Sequence, residues 1–257
     1  MKKGVILYSG GIDSLILREY LSQHGHDFDC LYFHHGGRYM GWEEIKIEQL
    51  GFELIKCDML YLAGIEKDDA FIPNRNILMS IAANSLGYDT IWIGGSKSDR
   101  VCDNNEKVFE NLSEFLTTMN GRYIKIDSPF WNCYKDDMVR WYIKSKDPCD
   151  LVYNTFSCFT PWARTRKLTF KLYDSKDISY ETSDSKDISY ETSECLKCAA
   201  CFRKCAVLYS AGIFVNYENA KTVKKYYDDF SHSIVSNARS EGTLKYIDRW
   251  IKEGNSL

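Results

Sequence analysis

The 257-residue chain has no strong excess of either charge. Its 33 basic and 36 acidic residues leave a formal −3 and a pI near 6.0, so no global basic field draws it to nucleic acid or anionic lipid. No segment approaches the roughly 18 apolar residues of a membrane span. The opening "MKKGVILYSGGIDS" ends its apolar run after five residues at a glycine turn, short of a signal-peptide core. A cytoplasmic protein without a membrane partner is the expectation. Also missing are the Walker pattern GxxxxGK(S/T) and the dinucleotide pattern GxGxxG, which removes those two phosphate-binding loops.

What is present is 44% hydrophobic content, enough for a real core, and ten cysteines. In a reducing compartment these are not a disulfide framework. The scattered Cys30, Cys57, Cys102, Cys133 and Cys149 read as inert small hydrophobes. The clustered ones in "CLKCAACFRKC" (residues 195–205) read as metal ligands or redox groups.

The first half alternates β-rich runs with helical patterns. Strands are expected over residues 4–8, 28–33, 52–57, 90–94 and 122–126. The intervening helices follow the first strand as far as Gly25, then cover 42–50, 76–86 and 106–119. Strands separated by helix-length segments predict an α/β fold with a doubly wound, mostly parallel sheet, whose ligands bind beyond the carboxyl ends of the strands. After about Lys144 cysteines, aromatics and basic residues take over. The expected division is an ATP-binding α/β domain over 1–145 and a cysteine-rich, zinc-binding, helical C-terminal region over 146–257. That region contains "DSKDISYETS" twice in tandem (174–183 and 184–193), too short for a solenoid and read as a duplicated surface hairpin or disordered loop. An ordered partner-binding flap is the alternative. "WARTRKLTFK" (162–171) reads as a solvated face or helix, and Leu244, Ile247 and Ile251 form a helical stripe.

"YSGGIDS" places Tyr8, Ser9, Gly10, Gly11, Ile12, Asp13 and Ser14 between a strand and a helix. Adjacent glycines let the backbone turn its N–H groups inward, and the helix adds free N–H groups and its dipole: an anion cradle. Asp13 would repel a phosphate unless Mg²⁺ came between them, so a carboxylate inside the cradle points to a metal-bound phosphate chain.

Ser-Gly-Gly-x-Asp-Ser after an N-terminal strand resembles the PP-loop of the ATP pyrophosphatases. Further stretches resemble the 7-cyano-7-deazaguanine synthase (QueC) branch of that family. They are "LYFHHGGRYMGWEE" with Phe33, Gly36 and Arg38; "IPNRNILMSIAANSLGYDTIWIGGSKSD" with Pro73, Arg75, Asn76, Gly94 and Asp99; "DSPFWNCYKDDMV" with Pro129 and Lys135; and "NTFSCF" with Ser157 and Cys158. The likeness runs from the N-terminus to about Lys204. It implies an AMP-forming ligase that adenylates the carboxylate of 7-carboxy-7-deazaguanine or a related base with Mg·ATP, then reacts it with ammonia towards a nitrile. It also implies that Asp13 and Lys135 are catalytic, that residues 8–14 bind the nucleotide, and that Arg75, Asn76 and Asp99 bind the base. A homodimer is implied too.

The same likeness implies structural Zn²⁺ on Cys158, Cys195, Cys198 and Cys201, leaving Cys205 spare. Cys195, Cys198, Cys201 and Cys205 alone have the C-x₂-C-x₂-C-x₃-C spacing of ferredoxin clusters, with Ala206 in place of proline. Both metals stay open here. The chain departs from the family at "RVCDNNEKVF" (100–109), which keeps only an acidic position at Asp103, and at Gly37 where the family has glutamine. Passing the adenylated base to another amine, including one on a protein, is therefore a second expectation. A tRNA-modifying thiolation or lysidine-type enzyme and a non-enzymatic nucleotide sensor are the others, although nucleic acid is not an expected partner.

Overall fold

The computed structural model describes residues 3–37, 39–51, 53–58, 61–67, 71–99, 103–158, 166–172, 186–192, 194, 199–211 and 213–216. It divides into two compact units: Met1–Met138 with Asn154–Phe156, and Val139–Tyr153 with Ser157–Leu257.

In the first unit, β1 (Gly4–Leu7), β2 (Phe28–Phe33), β3 (Ile55–Cys57), β4 (Thr90–Trp92) and β5 (Lys125–Asp127) form a five-stranded sheet in the order β3-β2-β1-β4-β5. Every pairing is parallel. Helices α1 (Ile12–Gln23), α2 (Met40–Gln49), α3 (Arg75–Ser85) and α4 (Glu106–Asn120) supply the crossovers, and α5 (Lys135–Ile143) follows β5. This is the doubly wound sheet that the alternating pattern predicts.

A parallel sheet covered on both faces needs strands that are apolar on both sides. In β1, Val5 packs into a cluster with Ala82 and Ala83 of α3 and Phe109 and Leu116 of α4. Ile6 points to the opposite face by the two-residue period and is equally buried. α4 begins where the Asn105 side chain accepts from the Val108 N–H at 3.0 Å and ends at Gly121 in the left-handed conformation. The expected strands at 52–57 and 122–126 are shorter in the structure, because only the residues in register with a parallel neighbour pair.

The second unit contains α6 (Pro148–Tyr153), α7 (Ala199–Ser210) and an antiparallel sheet in the order β7-β6-β8. Its strands are β6 (Arg166–Leu172), β7 (Lys186–Thr192) and β8 (Ile213–Asn216). The sequence reading expected a helical region here, with the tandem decapeptide as a surface hairpin or disordered loop. β6 overlaps the stretch expected to be a solvated face or helix, and β7 lies within the second decapeptide copy. A seven-residue ladder with a partner outweighs weak local preference. The first copy and the Leu244, Ile247 and Ile251 stripe lie outside the described residues. No helix among the described residues is long and apolar enough to cross a membrane.

Candidate nucleotide site and thiol cluster

The strand order reverses direction between β1 and β4, so a crevice opens beyond their carboxyl ends. The turn "YSGGIDS" leaves β1 at that point. Gly10 takes φ +72°, a left-handed conformation that a side chain rarely adopts. A Cβ there would also stand 3.2 Å from Ile47 on α2. Gly11 is the N-cap of α1, and no side chain caps that helix end. First-turn N–H groups have no intrahelical acceptor, the arrangement by which a helix start can receive an anion. Ser9 is exposed, whereas the buried Ser14 hydroxyl donates to the Gly11 carbonyl at 2.9 Å and braces the turn. The buried Tyr8 donates its N–H to Leu31 at 2.8 Å, and Ile12 packs in the core.

Two later loops meet this turn. The Gly94 backbone passes so close that a Cβ on it would lie 3.0 Å from the Cβ of Asp13. The loops after β4 and β5 are stitched together: Lys97 N–H donates to Cys133 O at 2.9 Å, Lys135 N–H to Ser98 Oγ at 3.0 Å, and Ser128 Oγ–H to Gly95 O. This places the start of α5 over the turn. Lys135 Nζ donates to Asp13 Oδ2 at 2.7 Å and stands 3.6 Å from Asp99 Oδ1. Asp99 is held by the Ser96 N–H and hydroxyl at 3.2 and 3.1 Å. Three residues singled out from sequence therefore converge, two carboxylates on one ammonium, all partly exposed.

Arg75 and Asn76 begin α3, and their hydrogen bonds run to other partners. Arg75 Nη1 donates to Tyr39 Oη at 3.2 Å, and the Asn76 carbonyl accepts from Ser80 Oγ at 2.8 Å. Around Arg75 lies a buried group that sequence reasoning missed. Tyr32 Oη donates to Glu43 Oε2 at 2.9 Å. Burial lifts the Glu43 carboxyl to about 8 against the opposing pull of that hydrogen bond and of Arg75. Burial, with Arg75 second, holds the His35 imidazole down at about 4. Phe156 was missed as well: its N–H donates to the Gly10 carbonyl at 2.9 Å and fixes the turn from the far end of the unit's sequence. Only its place beside the quoted Ser157 and Cys158 marked it. Arg38 lies outside the described residues.

In the second unit Cys158, Cys201 and Cys205 are buried thiols. Cys201 and Cys205 are four residues apart on α7 and share a face. Buried thiols suit a soft dication, and Cys195 and Cys198 lie outside the described residues. Among the described residues no group of three candidate ligands is assembled. Burial pushes the Cys30 thiol to about 11 and Cys149 to about 12, as expected of inert cysteines.

Comparison with known proteins gives the same direction. The chain is 28% identical over 156 residues to 7-cyano-7-deazaguanine synthase 1 of Sulfurisphaera tokodaii, covering 54% of this chain and 74% of that protein. It is 26% identical over 224 residues to the 7-cyano-7-deazaguanine synthase of Methanobrevibacter smithii, covering 69% of this chain and 97% of that protein. The chain is thus similar to 7-cyano-7-deazaguanine synthases over more than half of its length. The synthase of Campylobacter curvus is 28% identical over 196 residues, 62% of this chain and 84% of its own. No protein-family profile matches the chain. A solved predicted subunit of tRNA methyltransferase from Methanocaldococcus jannaschii superposes with TM-score 0.39 at 18% identity, over 54% of this chain and 72% of that one. The U34-tRNA thiolase NcsA of Methanococcus maripaludis, solved with its 4Fe–4S cluster, gives 0.36 at 11% identity, over 96% and 72%. The doubly wound α/β fold is given by the strand order β3-β2-β1-β4-β5 itself.

Proposed function

We propose that the chain is an ATP-dependent C–N ligase that adenylates a carboxylated deazapurine, 7-carboxy-7-deazaguanine in the first instance, and converts it with ammonia to 7-cyano-7-deazaguanine. The observation that carries this reading is Lys135 set between Asp13 of the glycine turn and Asp99 of the next loop, at the sheet's switch point. A lone anion cradle would serve any phosphate ligand. A cradle with its own carboxylate and a mobile ammonium suits a polyphosphate whose leaving group must be neutralised as it departs.

The backbone N–H groups of the uncapped α1 terminus receive the pyrophosphate end of ATP. Lys135 turns from Asp13 towards the phosphate oxygens, and Asp99 keeps it within reach. A carboxylate oxygen of the base bonds to the α-phosphorus, the bond to the β-phosphate oxygen breaks, and pyrophosphate leaves. Ammonia then bonds to the acyl carbon and AMP departs with the former carboxylate oxygen. A second adenylation at the amide oxygen, followed by loss of AMP, leaves the nitrile. Mg²⁺, which Asp13 would hold, supplies charge neutralisation for the polyphosphate. Zn²⁺ would be held by Cys158, Cys195, Cys198 and Cys201, where it would staple the second unit without taking part in the chemistry. The protein is proposed to act in the cytoplasm as a homodimer, with the carboxylated base and ammonia as its small-molecule partners.

The test is incubation with Mg·ATP, 7-carboxy-7-deazaguanine and ammonium, followed by mass spectrometry. AMP, pyrophosphate and the nitrile are expected. ADP instead of AMP would overturn the chemistry. AMP with an amide on an added protein amine would redirect the acceptor.

A further inference from the structure

The metal assigned above must draw ligands from chain segments far apart in sequence: Cys158 stands 37 residues before Cys195. The stretch between them includes both decapeptide copies. The β6–β7 ladder pairs the inner parts of this stretch, and nearer the cysteines the described residues show a further link that is not a thiol. Glu194 immediately precedes Cys195, and Ser157 immediately precedes Cys158. The Glu194 carboxylate accepts the Ser157 backbone N–H at 2.7 Å. Its other oxygen accepts from Lys204 Nζ at 3.0 Å. Lys204 sits on α7 between Cys201 and Cys205, and its ammonium also reaches the Val152 carbonyl at 3.4 Å. Both side chains are almost wholly buried, at 3% and 2% exposure.

Two charges withdrawn from water to this degree are costly unless fully paired. A well-packed apolar pair would fill the same volume without that cost. The pair does something an apolar pair cannot: one carboxylate fixes the backbone next to Cys158, the backbone next to Cys195 and the helix bearing Cys201. We propose that Glu194 is a positioning residue for the metal centre, a clasp that closes the long loop and sets the spacing of the thiol-bearing segments before metal arrives. The proposal rests on the zinc reading given above. It also accounts for an enlarged intervening loop, because loop length matters little to a site whose ends are tied independently.

Glu194→Gln keeps an oxygen for the Ser157 N–H but drops the charge facing Lys204. Glu194→Ala combined with Lys204→Met removes both charges and the Ser157 acceptor, leaving no unpaired buried ion. The full-length protein is stripped with chelator under reducing conditions and titrated with Co²⁺, following the thiolate-to-cobalt bands, then competed with Zn²⁺. Glu194→Gln, which keeps the Ser157 tie but loses the one to Lys204, is expected to lose stability and to bind more weakly than wild type but more tightly than the double variant. The double variant is expected to keep its fold by circular dichroism but to bind about 10- to 100-fold more weakly, with altered bands. Wild-type affinity and bands in the double variant would overturn the positioning role alone. Absence of a cobalt spectrum from the wild type would overturn the zinc reading, and the clasp with it. Should the double variant fail to fold, Glu194→Asp decides: it keeps the charge but falls one methylene short of Ser157, so weakened binding supports the clasp and unchanged binding refutes it.

Discussion

Lys135 and Asp13 form an ion pair whose partners are 122 positions apart, and each loses its proposed task without the other. Asp13→Ala removes the carboxylate assigned to the metal-bound polyphosphate while leaving the buried part of the turn unchanged. Turnover should fall by about 100-fold or more with the melting midpoint nearly unchanged. AMP release measured by chromatography checks this. Lys135→Met should cost a similar factor and leave Asp13 and Asp99 facing each other without a cation. Glu43 and His35 make a separate prediction for stability. Between the ordinary glutamate value of about 4.5 and its folded value of about 8, Glu43 holds a proton that the unfolded chain has released. Stability therefore falls as pH rises through that window. His35, held at about 4, does the reverse between 4 and about 6.5, where the unfolded chain takes up a proton that the native state refuses. Above pH 6.5 His35 no longer contributes, and between pH 6.5 and 8 the Glu43 proton by itself should cost the protein up to about 2 kcal/mol. Glu43→Gln should abolish this loss, as read from urea midpoints along the pH series.

Loops and strands carry their own consequences. Gly94 is needed for close approach, so Gly94→Ala should push Asp13 by a few tenths of an ångström and slow turnover about 10-fold with little loss of stability. A fall in melting midpoint equal to that of a core mutation would instead place the strain in the sheet. The decapeptide behaves differently. Among the described residues β7 is an edge strand drawn from the second copy, paired from Arg166↔Thr192 to Leu172↔Lys186. Deleting either copy produces the same chain, in which Tyr173, Asp184 and Ser185 alone join β6 to β7. Three residues suffice for a hairpin connection. Shortening the connection from 13 residues to three should stabilise the sheet by about 1 kcal/mol through loop entropy. Activity and cobalt uptake should stay as they were.

The residues proposed for the nucleotide fall in the first unit, and the buried thiols Cys158, Cys201 and Cys205 in the second. A chelator should therefore lower the melting midpoint by removing the tetrathiolate staple, while nucleotide binding measured by calorimetry at low temperature survives. Loss of nucleotide binding on chelation would show that the staple also shapes the crevice. Cys198→Ser should lose the metal and Cys205→Ser should keep it, by metal analysis of the purified proteins. The opposite result would assign the cysteine run to the ferredoxin spacing.

The glycine turn, the α/β alternation and most element boundaries in the first unit were legible in residue order, because each depends on neighbours within a turn or a strand. Gly10-Gly11 announces a backbone that can bend inward, and buried runs such as "GVIL" announce strands covered on both faces. The meeting of Lys135 with Asp13 and Asp99, the Phe156 brace on Gly10 and the buried Glu43 beside Arg75 were not legible as contacts. They depend on which strand lies beside which, and hydrophobic period sets a strand's faces without setting its neighbours. The same holds for Glu194: alone in the sequence it is an acidic residue before a cysteine, and it becomes a clasp only once folding brings Ser157 and Lys204 to its two oxygens.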